Sequence, residues 1–419
     1  MTRRRMALAA LLLIVPVWLA AAPAFAEQPV RSGNAVFDRA VALVNEHFYD
    51  QAKLPAFNEA AALAVTQMPS LAAGDPTLTG EAIAFVLDSL GVSHTGRFTA
   101  DQVDYYELAD VFRYGLRRDL RRVFPSGDVT YDGIGIVSRR SDGLTFVSDV
   151  YDGSPAAAAG ILPGDEIVSV DGEPFSEIGS FAGKAGETAQ VAVRHSADDE
   201  PLVLDVAVKR IEPGDLFLEA ISASVRRLDQ NGLRIGYIRI WAYTRNEVTR
   251  ILYDELGSGR LKDVDGLVLD LRSKWGGAPG DAADTFIAPT ASMEMVDRDG
   301  GRSFQVFRWD KPVVAIIDEG TRSGMEVLAH SLQKNGIPLV GSPSAGNVVA
   351  GTAYLLPDDS LLEVAVADVF VDGKRLEGNP VEPDFAVPFD VRYANGNDPQ
   401  LDAATSLMAQ RLSEGGGVN

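Results

Sequence analysis

Two short apolar runs, Gly266-Leu267-Val268-Leu269-Asp270-Leu271 and Pro312-Val313-Val314-Ala315-Ile316-Ile317-Asp318, constrain the fold more than any other feature of the chain. Apolar runs of this length, polar only at or near their C-terminal ends, read as strands buried on both faces, the pattern of a sheet whose crossover connections place helices above and below it. From Leu233 onward the rhythm is consistent: a strand over Ile235–Ile240, a helix over Glu247–Leu256, a glycine-rich loop with a helix from Gly280, a helix reaching His330, and a strand at Pro338–Gly341. The expectation is an α/β core with an open, crossover-type sheet.

Upstream the texture changes twice. Residues 27–130 read as an N-terminal helical cap: Val36, Ala40, Val41 and Val44 recur at helical spacing, and Glu81–Leu87 form a second apolar helix that breaks at Gly91 before the turn Ser93-His94-Thr95-Gly96. Residues 131–212 alternate short strands with turns and read as a small β-rich module inserted before the core, which spans 213–410. Residues 411–419 are polar and glycine-rich and read as a flexible tail.

Residues 1–26 begin with Arg3, Arg4 and Arg5, continue through an apolar stretch and end in Ala24-Phe25-Ala26, the pattern of a cleavable signal peptide. A periplasmic or secreted protein, without stable membrane insertion after leader cleavage, is expected. The net charge of −21 opposes nucleic acid and anionic lipid. With no cysteine, thiolate metal sites, disulfides and a cysteine nucleophile are excluded, and the four histidines, His47, His94, His195 and His330, lack the spacing of a zinc site. Neither a dinucleotide-binding glycine motif after a first strand nor a phosphate-binding Walker loop occurs.

Three segments carry candidate chemistry. Gly133-Ile134-Gly135-Ile136 opens a strand after a loop, where free N–H groups form a nest for a peptide carboxylate beside a strand edge. Asp270-Leu271-Arg272-Ser273-Lys274-Trp275-Gly276-Gly277 follows a buried strand, at the end where open α/β sheets place ligands. Thr321-Arg322-Ser323-Gly324-Met325-Glu326 lies at a strand-to-helix turn, where Ser323 serves either as a helix N-cap or as an exposed nucleophile.

The block Ser154-Pro155-Ala156 through Gly160, then Leu162-Pro163-Gly164-Asp165-Glu166-Ile167 and Val170-Asp171-Gly172, closely resembles a bacterial PDZ domain. Leader, helical cap, PDZ-like module, the Asp-Leu-Arg loop with its paired glycines and the serine helix follow the order of the C-terminal processing (tail-specific) peptidases of the S41-type serine protease family. The resemblance implies a serine endopeptidase acting on polypeptides, with a substrate C-terminus as one point of engagement, and with no metal or organic cofactor. It gives Ser323 as nucleophile and the Gly324 and Gly277 N–H groups as oxyanion donors.

One departure matters. The Ser–Lys branch of that family carries a lysine where this chain has Asn347, and Asn347 is no general base. The site pattern is closer to the tricorn protease core branch, which uses a serine–histidine–serine–glutamate tetrad. Ser93, His94 and Glu377 then join Ser323, with Glu382 as the fallback acid because Pro380 stands where that branch has glycine. Lys274 is a competing base. Of the other histidines, His330 lies about 10 Å along the helix from Ser323, while His47 and His195 read as packing and loop residues. The alternative reading is a catalytically inactive PDZ-containing peptide-binding protein, motivated by Asn347; hydrolysis of a non-peptide substrate is a third.

Overall fold

A computed structural model of the protein describes residues 30–287, 293–305 and 309–415. The expected signal peptide, residues 1–26, lies outside them. Among the described residues, no helix is long and apolar enough to cross a membrane.

The core is a six-stranded sheet. Leu233–Arg239, Gly266–Asp270, Val313–Ile317, Leu339–Gly341 and Phe385–Ala386 run parallel, and Arg226–Gln230 adds an antiparallel edge. Successive side chains of a strand point to opposite faces, and both faces here are covered. Leu267, Leu269, Leu271, Ala315 and Ile317 pack with Leu216, Phe217, Leu328 and Leu332 from helices on one side. Val268, Val314 and Ile316 pack with Ala404 and Met408 on the other. This is why the two diagnostic runs are apolar along the strands up to their C-terminal ends, where Asp270 and Asp318 stand.

Several elements differ from expectation. A helix over Pro213–Ser224 begins where the module was expected only to end, because proline suits a first helical turn. Of the helix expected from Gly280 onward, the described residues begin it only at Asp284, over Asp284–Ile287. The final helix runs Pro399–Gly415, so residues 411–415, expected in a flexible tail, are helical. Ala404, Met408 and Ala409 of that helix are buried against the sheet, which is what holds it.

The cap consists mainly of the helices Ala35–His47, Leu54–Gln67 and Pro76–Asp88, with Asn34 and Asp75 capping two of them through side-chain oxygens. They pack on a separate three-stranded sheet in which Gly96–Phe98 pairs antiparallel with Leu361–Asp368, itself paired with Val349–Leu355. Strand Gly96–Phe98 is three residues long and carries no alternation that marks it. The cap and the C-terminal part of the chain therefore share one sheet, which brings residues near 94 beside residues 347–377.

The module is a five-stranded antiparallel sheet of Ile136–Ser141, Leu144–Val150, Glu166–Val170, Thr188–Arg194 and Leu202–Ala207, in that order. Ser154 caps the short helix Pro155–Ala159, and Gly160, at φ 87°, ends it. Arg239 of the core pairs with Asp149 of the module, stacking on Trp241.

Met408→Ala removes a fully buried side chain from the far face of the sheet. It should cost about 2–5 kcal/mol, read as a lower urea midpoint with an unchanged slope.

Candidate active site

Ser323 stands between the strand Val313–Ile317 and the helix Gly324–Lys334, with φ 55° and ψ −129°. An ordinary N-cap takes extended backbone angles; positive φ in a residue with a Cβ is strained and persists only where the surroundings impose it. The constraints are visible. The Ser323 N–H donates to the Asn347 carbonyl at 3.0 Å and to Glu326 Oε2 at 3.2 Å. Glu326, buried, also accepts from Ser344 Oγ at 2.6 Å and from the Gly346 and Asn347 N–H groups at 2.7 Å each. One carboxylate thus clamps the serine turn to the segment 344–347. Burial raises the Glu326 pKa, and these hydrogen bonds oppose the rise. Sequence reasoning passed over Glu326; the signal was an acid three residues into a helix after a serine, the capping-box spacing.

The paired glycines press directly on this turn. A Cβ on Gly276 would lie 2.5 Å from Ser323 Cβ, and one on Gly324 would lie 2.5 Å from the Ala278 carbonyl oxygen. Gly277, at φ 84°, passes just as close to the Tyr243 carbonyl. Among the described residues, neither the Gly277 nor the Gly324 N–H has an acceptor.

His94 also has positive φ, 50°. Ser93 Oγ lies 2.8 Å from His94 Nδ1 and 2.8 Å from Glu377 Oε2. Glu377 further accepts from the Ser93 N–H at 2.8 Å and the Val348 N–H at 2.8 Å. A hydroxyl has one proton, and a carboxylate only accepts. If the Ser93 proton goes to Glu377, Ser93 Oγ accepts from Nδ1–H, and Nε2 carries the free lone pair. Burial, and then the charge of Arg322, lower the His94 pKa to about 3, so the imidazole is neutral at ordinary pH.

Ser323 and the Ser93–His94–Glu377 chain meet on one dipeptide. Asn347 accepts from Ser323 through its carbonyl, and Val348 donates to Glu377. The other candidates are engaged otherwise. Glu382 is exposed, and its carbonyl accepts from Gln333. Lys274 pairs with Asp104 at 2.6 Å and Glu107 at 2.7 Å. Burial opposes its charge, but the two carboxylates outweigh it and raise its pKa, so Lys274 is held protonated and cannot take a proton. His47 stacks on Tyr354, His195 bonds Asp165 within the module, and His330 faces Asp372.

A cleft of about 500 Å³ opens between the module and the core, lined by Arg322, Asn347, Ser273 and Lys274 on the serine side and by Val137, Arg139 and Asp149 on the module side. Gly133, Ile134, Gly135 and Ile136 line a separate narrow groove with Phe175 and Phe181. Ile136–Ser141 is an edge strand, and the Ile134 and Gly135 N–H groups have no acceptor among the described residues. Val103 of the cap reaches into the groove, its N–H on Glu177 Oε2 at 3.1 Å. Among the described residues, no cluster of acidic or histidine side chains is arranged to hold a metal.

A strained serine at a strand-to-helix turn, free N–H groups beside it and a hydroxyl-bridged imidazole define a serine-hydrolase type of site on an α/β sheet. Residues 234–387 match the profile of peptidase family S41, and residues 146–186 match that of a PDZ domain. The chain is 30% identical over 315 residues to the carboxyl-terminal-processing protease of Picosynechococcus sp., covering 69% of this chain and 72% of that one. It is 26% identical over 271 residues to the carboxy-terminal processing protease CtpA of Bacillus subtilis, covering 61% of this chain and 55% of that one. The tricorn protease shares the fold, with a TM-score of 0.52 and 18% identity over 90% of this chain and 36% of that one. The chain belongs to peptidase family S41, the carboxyl-terminal-processing serine proteases, and carries their PDZ domain.

Glu326→Ala leaves the Ser344 hydroxyl and the Gly346 N–H without their acceptor and Ser323 without its clamp. A loss of about 3 kcal/mol or more is expected, read by urea denaturation.

Proposed function

We propose that the protein is an exported serine endopeptidase that cleaves polypeptides through an acyl-enzyme. Ser323 Oγ attacks the scissile carbonyl, and His94 Nε2 takes its proton and returns it to the leaving amine. Ser93 and Glu377 fix the tautomer and orientation of His94, and the Gly277 and Gly324 N–H groups hold the oxyanion. Water then releases the acyl group by the same route in reverse. The chemistry runs on these side chains and backbone donors.

The observation that carries this reading is the Ser93 hydroxyl set 2.8 Å from both His94 Nδ1 and Glu377 Oε2. It gives His94 the orienting partner a base requires, at a site where Asn347, in place of a lysine, supplies no base. A spent, peptide-holding protein has no need of the positive φ at both Ser323 and His94. The PDZ domain presents the substrate, with Gly133–Ile136 receiving a chain terminus; support comes from the edge strand and the two free N–H groups there. Export to the periplasm or medium rests on the pattern of residues 1–26.

Ser323→Ala should abolish hydrolysis of casein and of a quenched peptide, while full retained activity would remove Ser323 from the role. His94→Ala should lower turnover by about 10²-fold or more, and a fluorophosphonate probe should label Ser323 in the parent but not in that variant.

The pH profile follows from the sign of the His94 shift. Its pKa is lowered, so the neutral base persists as pH falls from 6.5 toward about 3. The acid limb of kcat/KM due to His94 therefore lies well below pH 6.5. Arg322→Gln removes a charge that opposes the imidazolium and should move the limb upward. A limb at or above the ordinary histidine value in the parent protein contradicts the assignment.

A further inference from the structure

We propose that Arg322 is a specificity residue that binds a substrate carboxylate within a residue or two of the scissile bond. The proposal rests on Ser323 as the nucleophile. Arg322 precedes Ser323 and lines the cleft between module and core. Five other basic residues line the same cleft, Arg139, Arg226, Arg239, Arg272 and Lys274. Each of the five already carries an ion pair. Among the described residues, the Arg322 guanidinium has neither an ion pair nor a hydrogen bond. Arg322 is therefore the basic group of the cleft lining that has no carboxylate in contact among the described residues.

The guanidinium is also held in place. It lies over the Trp275 ring, 5.4 Å from the centroid. The Trp275 indole N–H donates to Glu107 Oε2 at 2.7 Å, and Glu107, fully buried, also accepts from Tyr151 at 3.0 Å. A cation set over the face of a fixed indole keeps its N–H groups available to a ligand, and the guanidinium fork matches a carboxylate in two parallel hydrogen bonds. The neighbouring acid does not use up this capacity. Glu363 is buried, with an oxygen that would lie 2.8 Å from a Cβ on Gly351 and no hydrogen bond among the described residues. Burial pushes its carboxyl up to about 7, against the opposing charge of Arg322. A ligand that supplies a full negative charge at Arg322 satisfies a cation the fold leaves open.

The carboxylate has two possible sources, an acidic side chain or the free C-terminus of a short leaving segment, and the substrates separate them. One pair of quenched peptides differs by Glu against Gln beside the scissile bond, both amidated at the C-terminus. A second pair carries Gln there and differs by a free against an amidated C-terminus one residue beyond. The parent protein should favour the carboxylate member of at least one pair by about tenfold in kcat/KM. Arg322→Gln should bring that ratio to within about threefold of unity, and Arg322→Glu should turn the preference toward Lys in place of Glu. The responding pair names the source. Equal ratios in the parent and both variants, or no carboxylate preference in the parent, overturn the proposal. If no peptide is cleaved, the hydrolase reading fails separately. The same peptides, fluorescently labelled, then report the preference through anisotropy on Ser323→Ala with and without Arg322→Gln; loss of the preference with Arg322 supports the carboxylate site, and an unchanged preference overturns it.

Discussion

The site depends on the carboxylate of Glu377. Its three hydrogen bonds, to the Ser93 N–H, the Ser93 hydroxyl and the Val348 N–H, join a turn of the cap to the loop that braces the serine helix. Glu377 lies 284 positions from Ser93 in sequence. Without this carboxylate the hydroxyl of Ser93 would have no fixed acceptor, and the tautomer of His94 would be undetermined. The shared sheet of Gly96–Phe98 and Leu361–Asp368 supplies the framework, since its antiparallel register places the turn at residues 93–94 beside the C-terminal strands.

A second carboxylate does for the Ser323 turn what Glu377 does for the turn at His94. Glu326 collects N–H and hydroxyl donors from both sides of the Ser323 turn and imposes a backbone conformation that a residue with a Cβ otherwise avoids. The two clamps meet at Asn347 and Val348, whose backbone groups bond Glu326, Ser323 and Glu377 in turn. Asn347 therefore contributes through its main chain, which asks nothing of its side chain as a proton acceptor. The strain at Ser323 and His94 is balanced by buried, hydrogen-bonded carboxylates rather than by packing alone.

Much of the fold was legible because its signals are local. The unbroken runs at 266–271 and 312–318 report burial on both faces, and the helix cap, glycine stop and turn residues of 154–172 sit within twenty positions of one another. The candidate residues Ser93, His94, Ser323 and Glu377 were reached through family resemblance, since no periodicity links a turn near residue 93 to a loop near 377. What escaped is long-range. Strand Gly96–Phe98 is too short to show alternation and exists because Leu361–Glu363 lies beside it. The helix end at 411–415 reads as polar and glycine-rich, and only docking of Met408 and Ala409 on the sheet keeps it ordered as a helix. Lys274 looks like a base in sequence; the acids that disqualify it come from the cap, about 170 positions away.

The direct test of the central claim is the protonation pattern of one ring. With four histidines in the chain, nitrogen-15 labelled histidine and a His94→Gln control isolate its signals by NMR at pH 7. The account predicts a neutral imidazole at His94 with the proton on Nδ1 and the lone pair on Nε2. A proton on Nε2, leaving Nδ1 as the acceptor from Ser93, would contradict it, because the ring would then have no lone pair to offer Ser323.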